Sequence, residues 1–390
     1  MRSFISYVSL VIAASSIVFS SPQPATAQSL QDRATNAVAA ITGQNKNLTQ
    51  VTKFDHQVTG VAVTETGRIF VNFPRWTEDA PISVAELGSD GKLTPYPDEE
   101  WNKWRNAAPL QSDNHFVCVQ AVFADQKGSL WVVDPAAPNS EKIVPNGPKL
   151  VRIDLASNKV GRVYMMAPDA APQGSYLNDV RISPDGKTAY MTNSGAPGSL
   201  VVLDLDSGKA RNVLSKHPST QPEPDVKVAV EGRELRRPDG RGVQFAADSI
   251  ALDPQGQYLY WQALTGKTSY RIATSVLRDE NASPDQVAAK VESVGETFPT
   301  DGYWMDKQGR LFLTSITDNS VKMRAGDGSI STLVQDERLH WPDTFSQGAD
   351  GTLYVTTSDI QSSPWFNEKG WTRKGFALWK IAPDDAAANR

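Results

Sequence analysis

FPTDGYWMDKQGRLFLTS, residues 298–315, joins a short apolar run to a turn ending in glycine and then to a second run in which apolar and polar residues alternate. That arrangement is the sequence signal of a β-hairpin. It is written six times along the chain. The turn glycines are Gly67, Gly128, Gly186, Gly256, Gly309 and Gly351, followed in order by RIFVNF, SLWVVD, KTAYMTN, QYLYWQA, RLFLTS and TLYVTT. Six irregularly spaced copies of one supersecondary unit point to radial repetition rather than a linear stack. The pattern predicts an all-β chain folded as a six-bladed β-propeller.

The repeat also carries a register. Eight residues before each glycine stand Thr59, Gln120, Asn178, Asp248, Asp301 and Asp343, all polar, each at the start of an otherwise apolar run. A purely structural strand would be expected to place Val, Ile or Ala there. The first strand of a propeller blade lines the central channel, so these six positions should form one ring at one channel mouth.

Outside the repeats the chain reads as follows. Residues 1–27 have the character of a secretory signal: Arg2, a mostly apolar run from Ile5 to Phe19, and Ala25-Thr26-Ala27 as a small-residue cleavage pattern. Residues 28–390 are then a single propeller domain. Leaving the signal aside, no second hydrophobic stretch long enough for a membrane span exists. A periplasmic or extracellular monomer is expected, without membrane attachment. Lys+Arg 39 against Asp+Glu 44, with no basic runs, argues against nucleic-acid partners. One cysteine, Cys118, leaves no intramolecular disulfide, so ring closure must come from strand pairing. Cys118 lies in an apolar run and reads as a buried, inert thiol.

Leu48 to His56 reads as a strand, and the last blade has only FALWKI, residues 376–381, as a strong strand after Thr357. The N-terminal strand is therefore expected to complete the last blade and close the ring, which removes exposed sheet edges. Residues 28–48 suggest a short helix or an arm. Trp101 and Trp104 suggest a short helix within residues 99–116 packed on a blade. The insertion at residues 134–148 should lie on the face of the ring. Residues 215–242 read as a polar surface loop, and Trp365 and Trp371 as members of a last-blade loop forming a rim, a lid or plain surface packing.

Three carboxylates, two amides and a hydroxyl form an oxygen-rich ring that suits a hard cation such as Ca²⁺ better than zinc, for which the four histidines show no paired spacing. Converging carboxylates need compensation, and either a cation or a raised pKa supplies it. A cation could polarise a carbonyl and activate water; a carboxylate with raised pKa could move protons. A hydrated channel holding ordered water satisfies the same pattern. Phe116 and Trp341, just ahead of ring strands, are candidate walls for an apolar or aromatic ligand, with Thr59 and Gln120 as further contacts. Tyr303 and Trp304 fit packing between blades at least as well.

From about Phe116 to Gln361 the chain resembles the yellow and major royal jelly protein family. The resemblance rests on VCVQAVFADQKGSLWVVDPA, LNDVRISPDG, ADSIALDPQGQYLYWQAL, TSVLRD, TDNSVKMR and LHWPDTFSQGADGTLYV. It extends more distantly to the lactonase-type six-bladed propellers. It implies a ligand site at the channel mouth, and no single reaction, since such families include isomerases, amine-binding proteins and proteins without known catalysis. Asn178 and Asp248 match lactonase metal ligands, which with Asp301 makes a divalent-cation set, whereas Thr59 stands where that family typically has a glutamate. The expectation is a small cyclic or aromatic ligand over the ring. Dopachrome-type isomerisation or lactone hydrolysis is the expected reaction class, with Asp301 or Asp343 as proton carrier. Non-catalytic binding and an interaction platform are the alternatives.

Overall fold

The computed structural model describes Asn45 and residues 47–382, except 126 and 141. The expected signal segment and most of the expected helix or arm lie outside the described residues. Six four-stranded antiparallel sheets follow one another along the chain as the blades of a β-propeller. Their first strands are Val61–Val63, Ala121–Ala124, Leu177–Ile182, Ala247–Leu252, Tyr303–Met305 and Pro342–Gln347. Each hairpin glycine of the repeat has positive φ, from 69° at Gly256 to 83° at Gly351. Left-handed backbone is what makes glycine the low-cost residue at that turn position.

Burial is distributed between blades. Six apolar clusters each straddle one pair of neighbours: Phe70 with Val122 and Leu130; Trp131 with Val180 and Met191; Tyr190 with Ile250 and Leu259; Ala251 with Tyr303 and Leu313; Phe312 with Phe345 and Val355; Val61 and Val71 with Leu378. The alternating strands thus bury both faces of each sheet. The last interface exists because the chain returns on itself. Leu48–Lys53 pairs antiparallel with Ala377–Ile381, Leu48 opposite Ile381 and Lys53 opposite Ala377, as the outermost strand of the sixth blade.

A seventh cluster sits over one mouth of the channel. It joins Trp76, Trp104, Val228, Val230, Leu235, Trp341, Ile360 and Phe366. Residues 215–242 are therefore not the plain surface loop their polarity suggests. They contain the hairpin Ala229–Val230 and Arg233–Glu234, with Val228, Val230 and Leu235 buried. Glu231 ties this cap to the last-blade loop through Arg373, at 2.8 Å, and to the connection entering the sixth blade through His340, at 3.0 Å. Residues 99–116 form irregular turns rather than a helix. Trp104 is nonetheless buried, and Trp101 packs on Phe116 with ring centroids 5.0 Å apart. Among the described residues no helix is long and apolar enough to cross a membrane.

Candidate functional site

Five of the six ring residues open onto one cavity of about 400 Å³ beneath the cap: Gln120, Asn178, Asp248, Asp301 and Asp343. The backbone explains why polar side chains reach it. In the third, fourth and sixth blades the pairing of first and second strands slips between Leu177 and Val180, Ala247 and Ser249, and Pro342 and Phe345. Asn178, Asp248 and Asp343 fall inside those irregularities. A bulge redirects a side chain and ends local pairing. The released N–H groups need other acceptors, and second-strand side chains supply them. Thr192 Oγ1 accepts from Asp179 N at 3.3 Å, Thr314 Oγ1 from Asp301 N and Gly302 N at 3.1 and 2.9 Å, and Thr356 Oγ1 from Thr344 N at 3.1 Å. Asn72 Oδ1 does the same for Gly60 N at 3.0 Å. Thr192 and Thr356 also donate across to the carbonyls of Asp248 and Thr59, at 2.6 and 2.5 Å, so neighbouring blades are stitched at the ring. These side chains escaped the sequence reading, although the signal was present: a polar residue near the end of RIFVNF, KTAYMTN, RLFLTS and TLYVTT.

The carboxylates form the floor. Asp248 and Asp301 lie within hydrogen-bonding reach of each other. Burial, then the charges of Asp301 and Asp343, hold the Asp248 carboxyl well above the usual range. Burial and the Asp301 charge do the same for Asp343. Asp301 is raised by burial only to about 6, because an indole N–H and its partner carboxyl pull the other way. The indole is that of Trp341, whose Nε1 donates to Asp301 Oδ2 at 2.5 Å. Two carboxylates in such contact cannot both ionise readily. The carboxyl held higher is that of Asp248, so a proton retained by the pair favours Asp248 over Asp301.

Asp179, absent from the sequence candidates, adds to the repulsion felt by all three floor carboxylates. Arg181 binds it at 2.8 Å and is itself held between the rings of Phe123 and Trp304, 5.2 and 5.7 Å from their centroids. Arg181 also lines a larger space of about 1040 Å³ at the far end of the inner strands. That cavity is walled by hairpin turns and contains none of the ring positions.

Aromatic rings form the walls above the floor. Trp76, Tyr176, Phe245 and Trp365 all face the cavity. Trp365 packs on Trp76 at 4.9 Å and near Phe245 at 6.4 Å. Trp76 Nε1 donates to the Tyr176 hydroxyl, which donates in turn to Gln120 Oε1 at 3.1 Å. Trp365 thus occupies the rim position its loop suggested, whereas Trp371 packs edge-on against Phe376 at 5.0 Å.

Three expected ligand contacts sit elsewhere. Thr59 is fully buried, donating to Gln120 O at 2.8 Å and accepting from Asn72 Nδ2 at 2.8 Å. Phe116 is buried between the first two blades. Trp341 is buried in the apolar cluster over the mouth and hydrogen-bonds Asp301 without lining the cavity. None of the three lines the cavity: interblade packing covers Thr59 and Phe116, and the cap cluster covers Trp341. Cys118 is fully buried, and its thiol is pushed up to about 12 by desolvation.

Among the described residues no three His, Cys, Asp or Glu side chains converge so as to hold a metal. A cation at this mouth would therefore have to include an amide ligand. Asn178, which lines the cavity, offers one: its Nδ2 donates to Ser194 Oγ at 3.0 Å, so its Oδ1 is the atom that could ligate. With Asp248 and Asp301 it makes an all-oxygen set compatible with a hard cation.

In fold the chain is similar to a gluconolactonase from Xanthomonas campestris, at TM-score 0.52 and 12% identity over 85% of this chain and 88% of that one. It is likewise similar to a calcium-binding regucalcin from Agrobacterium tumefaciens, at TM-score 0.50 and 13% identity over 86% and 92%. In sequence it is 26% identical to the protein yellow of Drosophila erecta over 278 residues, 65% of this chain and 48% of that protein. The chain thus spans about half the length of the yellow proteins it matches. The profile of the major royal jelly protein family matches residues 117–362, and the chain belongs to that family.

Proposed function

We propose that this is an exported propeller whose capped mouth binds a small aromatic cation. The observation that carries this reading is the pairing of four aromatic walls with an acidic floor in one cavity. Aromatic faces attract cations. Asp301, the floor carboxylate with the lowest raised pKa of the three, supplies a buried negative charge above about pH 6. A cavity of about 400 Å³ falls within the range of small-molecule sites. Export rests on the apolar run and Ala25-Thr26-Ala27 near the start of the sequence.

The same floor is equipped for proton transfer. Asp248, its carboxyl held high, lies beside Asp301, raised only to about 6, a pairing able to give and take a proton during an isomerisation of the dopachrome type. Asp343, also held high, is a second acid lining the cavity. Non-catalytic binding uses the same contacts without turnover.

A second reading is favoured by the oxygen set of Asn178, Asp248 and Asp301. A Ca²⁺-like ion held there would supply Lewis-acid polarisation suited to a lactone carbonyl. The gluconolactonase and calcium-binding neighbours share the fold, and Thr59 brings no carboxylate to complete the set.

Calorimetric titration with tyramine tests the first reading. Saturable binding at pH 7.5 that weakens strongly in Asp301→Asn supports it; absence of binding in metal-free protein sinks it. Product formation from an aminochrome, lost in Asp301→Asn, would separate an enzyme from a binder.

A further inference from the structure

Four arginines lie on the cap between residues 233 and 241, and three have hydrogen-bonding partners. Arg233 donates to Gln361 O at 3.2 Å, Arg236 pairs with Glu234 at 2.6 Å, and Arg241 pairs with Asp239 at 2.6 Å. Arg237 is different. Its guanidinium has no hydrogen-bond or ion-pair partner among the described residues, and it lines the cavity above the acidic floor. Its neighbour there is the Trp365 ring, 5.9 Å from the guanidinium carbon.

The position of Arg237 is built rather than incidental. Its backbone N–H donates to Arg241 O at 2.7 Å, Gly240 N donates back to Arg237 O at 2.8 Å, and Arg236 bridges to Gly242. This closes a tight turn through Pro238-Asp239-Gly240 at the edge of the cap. The side chain is half-buried, and desolvation lowers its pKa. Arg241 lowers it further and Asp239 raises it. A desolvated guanidinium without a partner presents its planar fork of donors to whatever enters, and a carboxylate matches that fork.

We propose that Arg237 is a specificity-determining residue that binds the carboxylate of a zwitterionic aromatic ligand whose ammonium group rests on the Asp248–Asp301–Asp343 floor. The inference depends on the aromatic-cation reading above and narrows it to amino-acid-like molecules. The ring of such a ligand lies among Trp76, Phe245 and Trp365, and its ammonium and carboxylate, borne on one carbon, lie between the floor and Arg237. An amine without the carboxylate satisfies only the floor. An aromatic acid without the amine brings a second negative charge to it.

The experiment is calorimetric titration of the full chain with L-tyrosine, tyramine and 3-(4-hydroxyphenyl)propionate, for wild type, Arg237→Gln and Arg237→Lys. Arg237 lies on a partly exposed turn, and unchanged melting temperatures will establish that the variants are folded. In wild type L-tyrosine is expected to bind about tenfold or more tightly than tyramine, the equivalent of one charge-assisted contact. The propionate should bind weakest. Arg237→Gln should bring L-tyrosine to the level of tyramine while leaving tyramine within about twofold, and Arg237→Lys should recover part of the difference. Equal affinities for L-tyrosine and tyramine in wild type, or an equal loss of both in Arg237→Gln, overturn the inference while leaving the aromatic-cation reading standing. Failure of all three probes to bind overturns both.

Discussion

Trp341 and Asp301 stand 40 residues apart in the chain and meet at 2.5 Å, the indole N–H of the cluster over the mouth donating to the carboxylate of the floor. That contact pulls the Asp301 pKa down against the burial that raises it. It also gives Trp341 a role through Asp301 rather than through direct contact with a ligand.

Replacing Trp341 by Phe should therefore raise the Asp301 pKa from about 6. A hydrogen bond to a charged group contributes about 1.5–3 kcal/mol, equivalent to about one to two pKa units. The pH profile of tyramine binding reads this directly. In wild type the affinity should fall as pH drops through about 6; in Trp341→Phe the fall should begin one to two units higher. An unmoved midpoint would show that the indole does not tune the carboxylate.

Asp248 carries the opposite lesson for stability. Its folded pKa lies well above 3.8, so the folded protein holds a proton that the unfolded chain releases. The stabilising contribution is present in full below the unfolded pKa near 3.8 and is lost as pH rises through the folded pKa. Asp248→Asn removes this liability. The variant should melt higher than wild type at pH 8, by about 2–4 °C for each kcal/mol relieved, and the two should converge near pH 3.5. A variant less stable than wild type at pH 8 would contradict this account.

The cap is clasped by a buried carboxylate. Asp359 accepts from Arg373 Nη2, Ser362 Oγ and Gly375 N, each at 2.8 Å, and Arg373 also reaches Glu231. Arg373→Ala leaves Asp359 buried without its cation. A loss of about 1–3 kcal/mol is expected, with faster proteolysis within residues 360–375. Hydrogen exchange would localise the loosening to this loop and to the hairpin at residues 229–234; uniform protection would count against the clasp.

Closure of the ring predicts the outcome of truncation. Removing residues up to Lys53 strips the outer strand from Ala377–Ile381 and exposes an unpaired edge. Such an edge templates association. The truncated protein should elute as oligomers or precipitate, whereas removal up to Thr42 should leave it unchanged on gel filtration.

The cation reading has its own measurement. Metal analysis of purified protein, followed by melting with EDTA and with Ca²⁺ restored, should show a stoichiometric ion and a reversible loss of stability if Asn178, Asp248 and Asp301 hold one. The effect should vanish in Asp248→Asn. No ion and no shift would leave the floor to protons and ammonium groups.

The sequence by itself determined the propeller, its six-fold register and its closure. Those features are local: a glycine at positive φ and an alternating strand repeat in every blade, and Leu48–Lys53 is the one strand left to fill the last sheet. The ring of polar starts was legible for the same reason, and five of its members share one cavity. What only the tertiary structure decided depends on contacts between distant segments. Thr59 and Phe116 are as close in sequence to the mouth as Gln120 is, yet interblade packing buries them. The bulges that aim Asn178, Asp248 and Asp343 inward arise from mismatch between two strands and leave no mark on either alone. Trp76, Trp365 and the pair Arg237 and Phe245 come from three connections distant in sequence, which share one cavity only because the tertiary fold brings them over the same channel mouth.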